Sequence, residues 1–208
     1  MGRLLLVAAL MSALTTFVAA LALRASDAVI AVAAVAALAV LFTWYAQLHS
    51  TDEQSSLGLS NPAAAITLAV VGRGPWASVL PTVAAHVVGA VVGGLGALAL
   101  DDQLGDTLVF ADPGLVVAAT GAAAVGLIGS WATLGVDAGA SEGLAAVPAV
   151  IGGAVLPLGL LTAFHPGAVI GLATAGLLPW DVALVAAGST LVASVAGAYA
   201  VSLLVPAP

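Results

Sequence analysis

The chain has 208 residues, 62% of them hydrophobic and 6% charged, with ten acidic residues against three arginines, no cysteine and a formal net charge of -7. Too few polar side chains exist to cover the outside of a soluble domain, so the composition specifies an integral membrane protein. The acidic balance excludes nucleic acid and anionic lipid headgroups as electrostatic partners, and the absence of cysteine excludes disulfides and thiolate metal sites.

The first apolar run, residues 4–23, follows Arg3. A signal core is roughly 7–15 residues, whereas this run is long enough to span a bilayer, so a retained helix is expected. A second run covers 28–48, and the polar stretch "HSTDEQSS" follows at 49–56. Next come an apolar segment of about half the spanning length at 62–71, headed by Asn61, and a full run at 76–100. The remaining full runs are 113–136, 143–163 and 180–205, with a second half-length segment at 166–175 headed by His165. Six runs are thus near the ~20 residues that cross hydrocarbon as a helix, and two are too short to cross alone. Nine of the ten carboxylates fall between runs and the tenth, Asp181, is the second residue of its run, as expected where charge in hydrocarbon is costly. Trp44, Tyr45 and Trp180, near run ends, are read as interfacial anchors. The small residues of 89–99 and 121–126 permit close helix approach.

Sliding the sequence along itself by half its length superposes Pro62 on Pro166, Gly72 on Gly176, Pro75-Trp76 on Pro179-Trp180, and Thr16 on Thr120. Each half (1–104 and 105–208) then carries three spans and one half-helix, and an odd number of crossings turns the second copy upside down. Inverted repeats of this kind bring broken helices together by their N-termini near the bilayer midplane. Asn is a favoured N-cap and Pro a favoured first helical residue, so Asn61-Pro62 reads as a helix start. Unpaired N–H groups and a positive dipole end inside a membrane require a polar, wet surrounding, hence a pore. Asn61 would donate there to a neutral molecule, as would a neutral His165, while two facing positive ends raise the energy of any cation.

In this organisation the sequence resembles the aquaporin, or major intrinsic protein, family. Asn61-Pro62-Ala63 matches that family's Asn-Pro-Ala signature, and "AHVVGAVVGG" (85–94) is similar to its third-helix "AQxxGA" stretch, with His86 where Gln is usual. His165-Pro166-Gly167 stands where the second Asn-Pro-Ala is expected. The resemblance implies an all-α polytopic fold of six transmembrane helices and two re-entrant half-helices, assembled as a homotetramer. It places the pore midplane at Asn61, Pro62, Ala63, His165, Pro166 and Gly167. It maps a selectivity constriction to Leu41 or Phe42, Gly153, Thr162, and Ala168 in place of the family's Arg, which implies a wider, less polar filter. The glutamates that hold the family's re-entrant loops are replaced by Met11 or Ser12 and by Val116, leaving Thr16 and Thr120 as candidate braces.

His49, His86 and His165 show no metal-ligand spacing, and no nucleophile–base set or phosphate-cradling loop stands out, so neither catalysis, metal nor cofactor is expected. The reading is a passive channel for water or small uncharged solutes (glycerol, ammonia or a gas) in a prokaryotic cell membrane, the acidic bias fitting a salt-loving source. Arg3 and Arg73 against Arg24 favour a cytoplasmic N-terminus. The alternatives are a non-conducting subunit of the same fold and an inverted-repeat secondary transporter, the latter disfavoured because no run carries a coupling carboxylate in its interior.

Overall fold

A computed structural model of the chain describes residues 2–25, 27–103 and 113–204. These form eight α-helices and contain no strand: α1 (Gly2–Ala25), α2 (Ala28–Gln47), α3 (Pro62–Val70), α4 (Trp76–Leu98), α5 (Leu115–Asp137), α6 (Val147–Val155), α7 (Pro166–Thr174) and α8 (Trp180–Leu204). The helices α1, α2, α4, α5 and α8 are each long and apolar enough to cross a membrane. The chain is therefore an all-helical, polytopic integral membrane protein. Its outer surface agrees, since Leu6, Leu10 and Leu14 of α1 and Val88 and Val92 of α4 are exposed with no polar cover. Of the ten carboxylates, Asp106 and Asp112 lie outside the described residues; the other eight sit at helix ends or between helices.

The expected fifth span, 143–163, is not a single helix. A 3₁₀ turn over Glu142–Ala146 leads into α6, which stops at Val155. Pro157 has no N–H to give and forces Leu156 out of the helical region, to φ -100° and ψ 157°. At 3₁₀ and α rises the continuous piece is roughly 24 Å long, short of the ~30 Å of hydrocarbon.

The two half-length helices are both present, with nine residues each, about 14 Å. They also end alike. Gly72 and Gly176 take φ of 77° and 74°. Past them, Arg73 N–H donates to the Leu68 carbonyl at 2.8 Å and Leu177 N–H to the Leu172 carbonyl at 3.0 Å. This is the left-handed glycine termination in which the last turn's carbonyls are satisfied by residues beyond the cap.

The broadest helix pairings are α1 with α4 and α5 with α8. They are close because side chains are missing: a Cβ on Gly89 or Gly93 would run into the Ala9 or Ala13 carbonyl, and one on Gly197 into Ser130. The half-helices are held mainly crosswise, α7 against α4 first and then α8 and α1, and α3 against α8 first and then α4 and α5 alike. A core of small residues around Ala19, Ala31, Ala118 and Ala183, filled out by Leu160, Leu161 and Leu172, lies where these elements converge.

Thr16 and Thr120 are not equivalent in the fold. Thr16 is fully buried beside Gly171, whereas Thr120 is exposed and folds its hydroxyl onto the Val116 carbonyl at 2.7 Å. Val116 is itself 76% exposed, so neither residue braces a half-helix. Ala13 faces Gly93 while Ser130 faces Gly197. The first helices of the two halves therefore correspond at a spacing longer than half the chain, and the half-length shift that superposes the later elements misregisters this one.

Candidate functional site at the paired helix heads

Each half-helix begins with a side-chain cap. Asn61, in extended conformation, accepts a hydrogen bond from the Ala63 N–H through Oδ1 at 2.8 Å. His165 does the same for α7, its Nδ1 accepting from the Ala168 N–H at 3.1 Å. The Asn61 amide also reaches across: Nδ2 donates to the carbonyl of Phe164 at 2.9 Å, the residue just before the second cap. That bond fixes the two heads side by side. Pro62, Ala63, Pro166 and Gly167 are all buried, as are His165 and Phe164, while Asn61 is only half-buried.

Two residues of the long helices hold the turns that precede the heads. His86 of α4 places Nε2 3.1 Å from the carbonyl of Gly58, three residues before Asn61. Thr190 of α8 places Oγ1 2.6 Å from the carbonyl of Ala163, two residues before His165, and 3.2 Å from that of Ala122. The half-length shift superposes His86 on Thr190, two polar residues inside apolar helices, and that coincidence is the sequence signal by which both braces are recognisable.

The heads border a cavity of about 40 Å³. Thr15, Thr43, Ser60, Asn61, Thr133 and His165 give it polar wall, and Phe42, Pro148 and Phe164 give it apolar wall. A water needs roughly 10–15 Å³ of such space, so the cavity holds about three. On the same side, Arg73 ties the segment after α3 to the end of α5 through Nε and the Asp137 carboxylate at 2.9 Å, and its Nη1 donates to the Asp52 carbonyl at 2.6 Å. The hydrogen bond to Asp137 raises the Arg73 pKa further above its ordinary value. A carboxylate at a helix C-terminus opposes the dipole, so Asp137 depends on this partner.

The residues mapped to a selectivity constriction are not brought together. Phe42 is buried and lines the cavity, but Leu41, expected as its alternative, is 49% exposed on the outside of α2 and takes no part in the cavity wall. Gly153 faces Val32, whose methyl groups occupy the space a side chain would take. Val32 lies ten residues from Phe42 along α2, about 15 Å away, which separates Gly153 from the cavity. Thr162 and Ala168 are fully buried and outside the cavity wall, Thr162 with its hydroxyl unpartnered. Of the width that Gly153 and Ala168 together imply, the part at Gly153 is therefore filled by the chain itself. Among the described residues no three His, Cys, Asp or Glu side chains converge as a metal site requires.

No known protein family and no curated protein sequence matches the chain.

Proposed function

We propose that the chain is a passive channel of the aquaporin type, its halves inverted in the bilayer and its half-helix heads meeting near the midplane to pass water-sized neutral molecules. The observation that carries this reading is the Asn61 to Phe164 hydrogen bond, which joins two helix N-termini beside one polar cavity. A helix start deep among apolar helices leaves N–H donors that need partners, and a file of waters supplies them. Two adjoining positive dipole ends oppose cations, protons included, without opposing water. The cavity volume favours water or ammonia over glycerol.

Stopped-flow shrinkage of proteoliposomes tests the reading. Water flux well above that of bare lipid, with a low activation energy and no glycerol flux, is expected; lipid-like permeability would leave a non-conducting role. Asn61→Asp removes the donor to Phe164 and sets a carboxylate at the two positive ends. Its expected effect is a several-fold fall in water flux together with a measurable cation leak.

A further inference from the structure

We infer that His86 and His165 are joined by an imidazole–imidazole hydrogen bond, His165 Nε2–H donating to His86 Nδ1, and that His86 is the positioning residue coupling the two half-helix heads. Its functional meaning rests on the channel reading above; its chemistry does not. The two ends of the pair fix the protons. Because the Ala168 N–H donates to Nδ1 of His165, that nitrogen carries a lone pair, and a neutral ring then holds its proton on Nε2. Because the Gly58 carbonyl can only accept, Nε2 of His86 carries the proton and its Nδ1 is bare. The two nitrogens left over, His165 Nε2 and His86 Nδ1, are both buried without a partner, and one is a donor and the other an acceptor.

Their placement suits the bond. The rings meet edge to face at 79° with centroids 5.2 Å apart. An N–H···N contact of ~3 Å set in line between two rings of ~1.1 Å radius gives about this separation, so the centroid distance suits the bond. The result is one directional chain, from the Ala168 N–H through His165 and His86 to the Gly58 carbonyl, in which every ring nitrogen is used. It runs from the head of α7 to the turn heading α3. Two nearby groups compete for the same proton: the Ser60 backbone, which interacts with the His165 ring, and the unpartnered hydroxyl of Ser12, which with His165 Cε1 flanks Gly167. With His165 Nε2–H committed to His86, the second amide hydrogen of Asn61 is the side-chain donor that the two caps leave for a passing molecule.

Solid-state NMR of the full chain in lipid, with ¹⁵N-labelled histidine, tests the link. Expected are neutral, Nε2-protonated rings for both residues and a through-bond coupling between His165 Nε2 and His86 Nδ1. A missing coupling, an Nδ1-protonated ring, or a His165 proton shared with Ser60 or Ser12 overturns it. His86→Gln retains a donor and an acceptor and is expected to keep the His165 tautomer and water flux within about twofold, whereas His86→Leu shifts the His165 Nε2 resonance and lowers flux about tenfold. If His86→Leu does not fold, the wild-type coupling decides. Coupling without flux keeps the link and removes the channel; flux without coupling keeps the channel and removes the link.

Discussion

Gly72 and Gly176 hold positive φ with nothing within 4 Å of where a Cβ would stand, so their requirement is conformational and not steric. Replacing either with Ala is expected to destabilise the protein by about 1 kcal/mol, and with Asn by less, as read from unfolding in detergent. The matched pair Gly-x-x-Pro-Trp was legible in the sequence because both glycines and both prolines do backbone work that few residues can replace. Asn61-Pro62 and His165-Pro166 were legible for the same reason, as cap and first helical residue. The partners of those caps were not. Nothing in the sequence says that Nδ2 of Asn61 finds the Phe164 carbonyl, because a contact over this separation depends on how the long helices pack.

At the scale of elements, apolar length alone located α1, α2, α4, α5 and α8 to within a few residues, since burial in hydrocarbon rewards every apolar residue alike. The same insensitivity hid the break after α6, where Pro157 overrides composition. It also hid the register of α5: alanine, valine and leucine recur so often that Thr16 and Thr120 aligned without being equivalent. Helix contacts give sharper expectations. Gly93→Ala drives a methyl into the Ala13 backbone and should cost roughly 1–3 kcal/mol by overpacking α1 against α4. Gly188→Ala on α8 meets open space and should instead stabilise by up to about 1 kcal/mol through helix propensity. Thermal unfolding of the two variants side by side checks both signs; no loss on Gly93→Ala would mean that the α1–α4 contact is looser than described.

For the whole molecule, the crosswise scheme makes each half-helix dependent on the other half's last helix, so neither half encloses the cavity alone. The Arg73–Asp137 pair adds a clasp between halves at the protein's edge. Because the guanidinium is partly exposed, Asp137→Asn is expected to cost only about 1 kcal/mol, with the loss shrinking in high salt. Half-length internal similarity made the two matched nine-residue helices readable. The filter was not readable, because which side chain fills the space beside Gly153 depends on the level at which α2 crosses α6, and Val32 sits there while Phe42 does not. Under the proposed channel function, solute passes the cavity where the two heads meet. Thr133 lines that cavity, is partly accessible, and bonds only its own helix at Gly129, so Thr133→Cys is a near-isosteric and otherwise cysteine-free probe. Treating proteoliposomes of this variant with a small thiol reagent should bring water flux down to that of bare lipid and restore it on reduction; flux that persists after complete labelling would contradict the account.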